Sequence, residues 1–471
     1  MEITISNIIE ISNPTEQVLD YCRKQLIVKN PEFNKKVQMG FFVGKTPRYI
    51  HLYDRVGDSV YLPIGCFKDI WNMYPDKTLY HDYSSVVKRN IKSSIKLRDY
   101  QEPCLNALKK YVNGLFILPC GLGKTECALA TASYLQQHTL FITHTKDLMN
   151  QAKDRCEEKM ECSVSVISDG EVDTHGDVVF ATVQTLFKHL EEIPQDEFGL
   201  VVVDECHHLA ANADTVAMFR TSLDYFAARY KLGLTATLHR ADGLEQCIPK
   251  LLGEIIYEIV EDGEDYVGMY EGKEVIRFPK IKFQVPAKVN IIQTNYTLYN
   301  EQTGEYRDVF DRNGMTLCFS KLITDLSNDV ERNRLIVNLC NSLKGSTIIL
   351  SDRVDQLKYL NELIDNSVEI DGSTNKKVRE KTLEDIKEGK YKVLLASYKL
   401  AKEGLDCKIL QNVIFATPVK DEAIVIQCIG RAQRPYEGKK IANIYDLVDD
   451  VSMLTRFYTK RRSVYKKKGW W

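Results

Sequence analysis

A short loop after an apolar run contains residues that could bind phosphate. The segment Leu118-Pro119-Cys120-Gly121-Leu122-Gly123-Lys124-Thr125 follows the apolar run Leu115 to Leu118 and precedes a predicted helix that begins near Glu126. In such a loop, backbone N–H groups surround phosphate oxygens, a lysine neutralises the β- and γ-phosphate charge and a threonine hydroxyl binds Mg²⁺. Lys124 and Thr125 would have these roles. The general fingerprint has Gly where Leu118 stands, so the loop by itself is an incomplete match.

Two carboxylates lie at the end of a second apolar run further along the chain. The run Leu200 to Val203 is followed by Asp204-Glu205-Cys206-His207-His208. An acid at the tip of a buried strand, beside a phosphate loop, is the position that holds Mg²⁺ in nucleotide-hydrolysing enzymes. A neighbouring carboxylate can orient the attacking water and accept its proton. We therefore predict ATP hydrolysis with Mg²⁺ held by Thr125 and Asp204, and with Glu205 as the base.

Short apolar runs alternate with helical stretches in two regions of the chain. In the first region the runs are Leu115 to Leu118, Thr139 to Ile142, Val178 to Ala181, Leu200 to Val203 and Leu232 to Leu234. In the second they are Thr347 to Leu350, Val368 to Ile370, Val393 to Ala396, Val413 to Phe415 and Ile441 to Tyr445. Buried parallel strands have such continuous apolar runs, and strands that alternate with helices form doubly wound sheets. The fold class predicted is therefore α/β, with two doubly wound parallel-sheet lobes in tandem.

The flanking regions have other patterns. Residues 1–90 are rich in aromatic and β-branched residues, and the stretches Tyr49 to Tyr53 and Val60 to Pro63 are typical of strands, so a small α+β accessory domain is expected. The acidic, glycine-containing segment Glu261 to Glu274 resembles a loop or hairpin insertion. The predicted division is an accessory domain at 1–90, a first lobe at 91–245, an insertion or linker with the start of the second lobe at 246–330, and a second lobe at 331–471.

Composition excludes several classes of protein. No apolar run approaches the roughly 20 residues of a membrane helix, and the first residues do not have the pattern of a secretory signal. The 13 cysteines match no zinc pattern, and the net charge is −2. We expect a cytoplasmic protein with reduced thiols, in the host cytoplasm if its source is a virus or phage. The basic runs Lys460 to Arg462 and Lys466 to Lys468 fit a solvated tail or a phosphate contact equally well.

Between about residues 97 and 447 the motifs occur in the order found in superfamily 2 helicases of the DExH type. In the first lobe, Leu97 to Gln101 resembles the adenine-reading segment, Thr143 to Leu148 and Ala181 to Thr185 resemble two strand-tracking motifs, and Leu234 to Thr237 resembles the motif that couples hydrolysis to nucleic acid. The resemblance implies that Gln101 reads the base, with Arg98 beside it. Nucleic-acid contacts are implied for Thr143, Thr145, Thr182 and Gln184, and coupling for Thr235 and Thr237. A histidine shortly after Asp204 could also link the ATP site to these threonines, and between His207 and His208 we favour His208.

The second lobe continues the series. Ile348 to Arg353 resembles the fourth motif, Ala396 to Tyr398 with Glu403 to Asp406 the fifth, and Gln427 to Arg434 the sixth, QxxGRxxR. The resemblance implies nucleic-acid contacts for Ser351, Arg353 and Ser397, nucleotide contacts for Gly404 and Asp406, and a catalytic role for Gln427. Arg431 and Arg434 are three residues apart, which would place them on one face of a helix. An arginine that reaches the γ-phosphate contributes about 10³–10⁵ in rate in related enzymes.

The motif Asp204 to His208 and the segment Gly233 to Asp242 resemble the XPB-like branch, which includes phage branch-migration helicases and poxviral transcript-release helicases. This resemblance implies two RecA-like lobes and an ATP-dependent DNA helicase or translocase. The expected partner is DNA, with 3′-to-5′ tracking on one strand and action on forks or Holliday junctions. The accessory domain would grip duplex or branched DNA. A monomer would suffice, because both lobes are on one chain.

Three alternatives stay open at this point. A motor of the same fold could act on RNA or release transcripts. A non-catalytic scaffold could bind nucleic acid, although Lys124, Asp204, Glu205, Arg431 and Arg434 are all present. A restriction-type motor subunit is the third alternative, but the flanks carry no nuclease motif.

Overall fold

The computed structural model describes residues 1–44, 46–119, 121–207, 213–238, 243–300, 303–311, 316–403 and 407–471. The chain is divided into two compact units, residues 1–279 and residues 280–471. Within the described residues, each helix is either too short or too polar to cross a membrane.

The elements of the first unit are, in chain order, β1 (Glu2–Ile5), β2 (Ile9–Ser12), α1 (Glu16–Gln25), β3 (Ile27–Lys29), α2 (Pro31–Gln38), β4 (Tyr49–His51), β5 (Asp54–Val56), β6 (Ser59–Leu62), α3 (Phe67–Met73), β7 (Tyr80–Asp82), β8 (Lys92–Ser93), α4 (Glu102–Tyr111), β9 (Asn113–Ile117), α5 (Lys124–Leu135), β10 (Thr139–Thr143), α6 (Lys146–Lys159), β11 (Met160–Glu161), β12 (Val164–Ser168), β13 (Glu171–Val172), β14 (Val178–Thr182), α7 (Val183–Lys188), β15 (Leu200–Val203), α8 (Ala213–Tyr225), β16 (Tyr230–Thr235), α9 (Cys247–Leu252), β17 (Ile255–Asp262), β18 (Asp265–Tyr270) and β19 (Lys273–Pro279).

The main sheet of this unit has the order β13-β12-β14-β10-β15-β16-β9-β17-β18-β19. From β12 to β17 the neighbouring strands are parallel. Strands β10, β14 and β15 are buried along their whole length, because helices cover both faces of a doubly wound sheet. The predicted doubly wound first lobe is therefore confirmed, and the predicted apolar runs lie on its strands, except that Leu118 is one residue beyond β9.

Three strands follow the region in which the apolar runs were recognised. Strand β17 pairs in parallel with β9, and β18 and β19 continue the sheet as antiparallel neighbours. Their turns contain Gly263 and Gly272, both with positive φ, which explains the glycines in the segment expected to be a hairpin insertion. The strands are part of the first unit, whose boundary follows Pro279.

The first 90 residues form a second sheet with the order β5-β6-β2-β1-β7, and the separate ribbon β3–β4 carries α2. Buried residues of this sheet and of the first lobe belong to one continuous apolar core. Gly65 is required at the junction, because a Cβ there would lie 2.5 Å from the carbonyl oxygens of Pro249 and Lys250. Two ion pairs also link the first 90 residues to the lobe, Arg220–Asp54 at 2.8 Å and Lys250–Asp69 at 2.6 Å.

Lys231, on the central strand β16, is fully buried beneath the accessory sheet. Its Nζ donates to the carbonyl oxygens of Asn7, at 2.9 Å, and Leu223, at 2.7 Å. Burial lowers the pKa of Lys231 to about 8, although the carboxylate of Asp224 opposes this shift. The ammonium therefore joins the accessory sheet to the lobe at an electrostatic cost.

The second unit consists of β20 (Ala287–Gln293), β21 (Tyr299–Asn300), β22 (Glu305–Tyr306), α10 (Phe319–Asn328), α11 (Val330–Ser342), β23 (Thr347–Ser351), α12 (Val354–Leu363), β24 (Ser367–Ile370), α13 (Lys376–Lys387), β25 (Val393–Ser397), α14 (Tyr398–Glu403), β26 (Asn412–Phe415), α15 (Glu422–Ala432), β27 (Ala442–Val448) and α16 (Ser452–Lys467).

Its sheet has the order β20-β27-β26-β23-β25-β24, and all neighbouring strands are parallel. The second predicted lobe is therefore confirmed. Strand β20 comes from the region assigned to the insertion or the start of this lobe, and it pairs with the last strand, β27.

The C-terminal basic cluster is partly structural. Arg461 is 1% exposed and donates from Nε and Nη2 to both carboxylate oxygens of Asp446, at 2.8 and 2.9 Å. The Tyr465 hydroxyl donates to the same carboxylate at 2.8 Å. Trp470 is buried in the apolar core of this unit. Neither a solvated tail nor a phosphate contact describes Arg461, because its charge is already paired inside the fold.

Replacing Lys231 with Met should remove a pH-dependent component of stability. A lysine in the unfolded chain has a pKa of about 10.4. Between about pH 8 and pH 10 the unfolded chain therefore binds more protons at this residue than the folded chain does. Linkage then requires stability to rise with pH in the wild type. In denaturant unfolding, the free energy of unfolding of the wild type should rise by on the order of 1–2 kcal/mol relative to that of Lys231→Met between pH 7 and pH 9.5. The exposed Lys24→Met variant serves as control, and a pH-independent difference for Lys231→Met would contradict the assignment.

Replacing Arg461 with Ala should destabilise the second unit strongly. The change leaves the Asp446 carboxylate buried without its cation, which typically costs about 3–5 kcal/mol. The neighbouring Arg462→Ala is the matched control, because Arg462 is exposed, and exposed changes are usually within about 0.5 kcal/mol. Thermal unfolding of the three proteins is the measurement. Equal melting temperatures for the two variants would show that the Arg461 pair is not needed for folding.

Candidate nucleotide and nucleic-acid sites

Three strand ends meet at one edge of the first-lobe sheet. The phosphate loop follows β9, Asp204 follows β15, and Thr235 ends β16, which lies between the other two. The Leu118 N–H donates to the carbonyl of Thr235 at 3.0 Å, so the loop starts in register with β16. Ligands of doubly wound sheets bind at this carboxyl edge.

The loop has the conformation of a phosphate cradle. Gly121 and Gly123 have φ of 86° and 81°, values that favour glycine. A Cβ on Gly123 would lie 2.4 Å from Gln101 Nε2, so a larger residue would collide there. Helix α5 begins at Lys124, two residues earlier than predicted. Its first N–H groups have no partner within a helix, and this makes them suitable donors to phosphate oxygens. Cys120 lies outside the described residues.

A connected series of polar contacts crosses the site. Lys124 Nζ lies 2.9 Å from Glu205 Oε1, and His207 Nδ1 lies 3.2 Å from Glu205 Oε2. The same His207 nitrogen is 3.0 Å from Thr235 Oγ1. Thr235 Oγ1 in turn donates to the carbonyl of Thr237 at 2.8 Å. The phosphate loop is thereby linked to the predicted coupling motif through Glu205 and His207.

The pKa values of Asp204 and Glu205 are shifted in opposite directions. Burial, together with the adjacent Glu205, raises the pKa of Asp204 to about 6. Burial also acts to raise the pKa of Glu205, but the Lys124 ammonium and His207 outweigh it and hold that pKa well below its usual range. Glu205 also has a positive φ of 49°, an uncommon conformation for a non-glycine residue. Strain of this kind is found at functional sites.

The donor set fits Mg²⁺. The Asp204 carboxylate is 6% exposed, and the adjoining loop supplies the Thr125 hydroxyl. Magnesium prefers oxygen ligands of this hard type. A divalent cation would also favour the ionised form of Asp204, which burial disfavours. Asp204 and Thr125 are therefore the residues that would hold Mg²⁺ when nucleotide is bound.

Gln101 packs against the phosphate loop. Its Nε2 donates to the Leu122 carbonyl at 2.9 Å and its Oε1 accepts from the Arg98 N–H at 3.0 Å. The side chain is 4% exposed. Tyr100, beside it, stacks on Phe278 of β19 with 4.5 Å between ring centroids, and accepts from Arg98 Nη1 at 2.8 Å. The assignment of Gln101 as the base reader stays a prediction, and the observed contacts give it a role in holding the loop.

The histidine that makes the link among the described residues is His207, which the sequence analysis considered but ranked below His208. We favoured His208 for the link to the threonines, and His208 lies outside the described residues. The two histidines are adjacent, and choosing between them requires knowing which ring faces β16. The Tyr100–Phe278 stack was also missed, because Phe278 is on a strand that carries no recognisable motif.

The predicted nucleic-acid residues of the first lobe lie at the same carboxyl edge. Thr145 and Thr182 are the N-caps of α6 and α7, and their hydroxyls accept from Leu148 N and Thr185 N. The side chains of Thr143 and Thr182 are 0% and 4% exposed, so they are taken up in local structure. Gln184, in the first turn of α7, is half-buried. Contact with a sugar–phosphate backbone stays a prediction for these residues.

In the second unit the predicted residues also follow strand ends. Ser351 is fully buried and donates to Gln356 at 2.7 Å, Arg353 donates from Nε to Thr324 Oγ1 at 3.2 Å, and Ser397 accepts from Leu400 N at 3.3 Å. Gly404 and Asp406 lie outside the described residues.

The sixth motif lies on and after α15. The Gln427 Oε1 atom is buried and has no hydrogen-bond partner among the described residues. Arg431 is in the last turn of the helix. The prediction that both arginines share one helical face is wrong, because α15 ends at Ala432 and Arg434 lies in the turn beyond it, with its N–H donating to the Arg431 carbonyl at 3.3 Å.

Comparison with known proteins assigns both lobes. A family model described as the res subunit of type III restriction enzymes matches residues 94–240, and the helicase conserved C-terminal domain matches residues 331–436. The DNA 3′-5′ translocase XPB2 of Sulfurisphaera tokodaii is 26% identical over 400 residues, which are 80% of this chain and 84% of the relative. A protein of Acanthamoeba polyphaga mimivirus, provisionally named ATP-dependent RNA helicase L396, is 27% identical over 454 residues, covering 94% of this chain and 77% of the relative.

The fold has a counterpart among solved structures. The helicase domain of Pyrococcus furiosus Hef covers 78% of this chain and 98% of its own length, with a TM-score of 0.50 and 16% identity. The matched models follow one another in helicase order, and the sites described above lie within them. The chain therefore belongs to the superfamily 2 helicases and carries the domains of an ATP-dependent nucleic-acid helicase.

Proposed function

We propose that this protein is a motor that moves 3′-to-5′ along one DNA strand and acts on branched DNA such as forks and Holliday junctions. The observation that carries the proposal is the contact series from Lys124 through Glu205 and His207 to Thr235. It joins the phosphate loop to the motif expected to sense nucleic acid. A change at the phosphates can therefore reach Thr235 through two side chains.

The residues of the site divide the chemistry among them. The loop amides and Lys124 would bind the phosphates, and Asp204 and Thr125 would hold Mg²⁺, which when bound would supply positive charge beside the phosphates. Without nucleotide, Lys124 and His207 keep Glu205 ionised. When Lys124 is on the phosphates, Glu205 would keep His207 as its partner and would accept a proton from water at its carboxylate. Gln427, Arg431 and Arg434 are proposed to contribute to turnover, as the resemblance implies.

The named relatives support DNA as the first choice of partner. XPB2 of Sulfurisphaera tokodaii is named as a DNA 3′-5′ translocase. The second candidate is RNA, favoured by the name of the mimivirus relative, which matches 94% of this chain. Both candidates use the same ATP site, so they differ only in which nucleic acid stimulates turnover.

ATP turnover should be stimulated by nucleic acid and abolished by Lys124→Ala. Steady-state ATPase is measured with single-stranded DNA, duplex, forks, four-way junctions and RNA. Forks and junctions should stimulate most, and unwinding should require a 3′ single-stranded tail. Stimulation by RNA alone would overturn the DNA assignment and favour the alternative. An absence of turnover with every substrate would leave a nucleic-acid-binding scaffold.

The contacts of Gln101 predict a second result for ATP binding. Because Gln101 holds the Leu122 carbonyl, Gln101→Ala should loosen the loop and weaken binding of any triphosphate by about 10-fold, which corresponds to loss of a buried hydrogen bond. Inhibition of the ATPase by tripolyphosphate isolates this effect, because tripolyphosphate has no base. The exposed neighbour variant Glu102→Gln is the control. Unchanged tripolyphosphate inhibition with weaker ATP binding would instead assign Gln101 to the adenine.

A further inference from the structure

An arm projects from the accessory sheet and ends in an exposed aromatic pair. We define the arm as residues 27–51, which comprise β3, α2, the loop after it, and β4. Phe41 and Phe42 in the loop are 64% and 91% exposed, and Met39 and Val37 are more than half exposed. Burying one such side chain normally stabilises a fold by about 1.5–3 kcal/mol. Several of them exposed together on one loop mark an interaction surface.

The loop holds its shape without burying these rings. Asn30, 3% exposed, caps α2 and donates from Nδ2 to the Pro47 carbonyl at 2.8 Å, which joins the start of α2 to the end of the loop that follows it. The Phe41 N–H donates to the Lys36 carbonyl at 2.9 Å, and Lys36 Nζ donates to Thr46 Oγ1 at 2.7 Å. The backbone and the polar side chains thus order the loop.

The charge of the arm indicates which kind of ligand it would bind. Its basic residues are Lys29, Lys35, Lys36, Lys45 and Arg48, and its one acidic residue is Glu32, although the whole chain has a net charge of −2. Glu32 pairs with Lys36 at 2.8 Å. Lys29, Lys35 and Arg48 are exposed, and none of them has an ion pair among the described residues. Cations without carboxylate partners among the described residues, beside exposed aromatic rings, suit a ligand that offers both phosphates and unpaired bases.

A cleft at the foot of the arm leads toward the motor lobe. It has a volume of about 360 Å³ and is lined by Lys24, Lys29 and Asn34 on the accessory side and by Gly243 and Gln246 on the lobe side. Gly243 follows the coupling segment Leu234 to Thr237 along the chain. A strand in this cleft would therefore pass between the arm and the lobe that hydrolyses ATP.

We propose that the arm binds the unpaired bases of a single strand or branch point, with Phe41 and Phe42 stacking on bases and with Lys29, Lys35 and Arg48 contacting phosphates. This inference rests on the proposed function, because it assigns the arm to the nucleic acid on which the motor acts. It names a specific element within the accessory domain, for which the sequence predicted only a general grip on duplex or branched DNA.

The test uses full-length point variants. Deleting the accessory domain is unsuitable, because Lys231 and the shared apolar core would lose their partners. Fluorescence anisotropy is measured for a single strand, a fork, a blunt duplex and single-stranded RNA. Phe41→Ala/Phe42→Ala should weaken binding to the single strand and the fork by about 10-fold or more, as loss of base stacking does. Binding to blunt duplex should change by less than about twofold.

Matched variants separate stacking from charge. Tyr306→Ala removes an aromatic side chain that is 76% exposed in the second unit, and it should leave every affinity unchanged. Lys35→Ala should weaken binding to every nucleic acid and reduce the slope of log affinity against log salt concentration by about one. The variant Lys77→Ala, at an exposed lysine outside the arm, should do neither. A 2-aminopurine base in the single strand should be quenched by the wild type and less by the double phenylalanine variant. Basal ATPase without nucleic acid should be the same in all variants.

Two results would overturn the inference. One is unchanged affinity of the double phenylalanine variant for single strand and fork while the wild-type ATPase is still stimulated, in which case the proposed function stands and the arm has no part in it. The other is binding of the wild type, but not of the variant, to anionic phospholipid vesicles without any change in nucleic-acid affinity, which would make the arm a membrane contact. Failure of the proposed function itself looks different, because nucleic acid would then not stimulate wild-type turnover at all. Comparison of the single strand of DNA with that of RNA shows which sugar the arm accepts.

Discussion

Two adjacent carboxyl groups at the end of β15 are buried, and a buried carboxylate is unfavourable unless a cation compensates it. Glu205 has its cation in Lys124 and a second polar partner in His207, so it stays ionised. Among the described residues Asp204 has no comparable ion pair, and burial raises its pKa. A divalent cation would therefore stabilise the ionised form of Asp204, which lies beside the phosphate loop and the start of α5. The order of the strands follows from the same need, since β9, β15 and β16 must be neighbours for these contacts to form.

The sequence predicted the parts of this arrangement that depend on local pattern. Continuous apolar runs identify buried parallel strands, and the loop and the acidic motif are recognisable because each follows such a run. Contacts between distant segments were not predictable in this way. The link through His207 depends on which of two adjacent rings faces β16, and the helical face expected for Arg434 depends on where α15 ends. Phe278 and the strands around it carry no motif, and only the fold shows that they belong beside Tyr100.

Basic residues illustrate the same difference between pattern and structure. Lys231 and Arg461 contribute to the charge counted along the sequence, but both are buried and hold segments of the fold together. Arg332 is similar, since its guanidinium lies against Asp449 with 2.7 Å between Nε and Oδ1. The cations available to a phosphate are those without carboxylate partners, and three of them lie among the described residues of the arm. Net charge therefore says little about where a nucleic acid would bind, whereas the pairing of each cation is informative.

The three strands β17, β18 and β19 change the position of the phosphate loop within its sheet. Without them β9 would be an edge strand, with one side open to water; with them it is an interior strand, with β16 on one side and β17 on the other. The Tyr257 hydroxyl of β17 also donates to the Tyr100 carbonyl. The unit that contains the nucleotide loop thus extends to Pro279, although the matching family model ends at residue 240. In this lobe the matched region therefore ends before the three strands that pack beside the nucleotide loop.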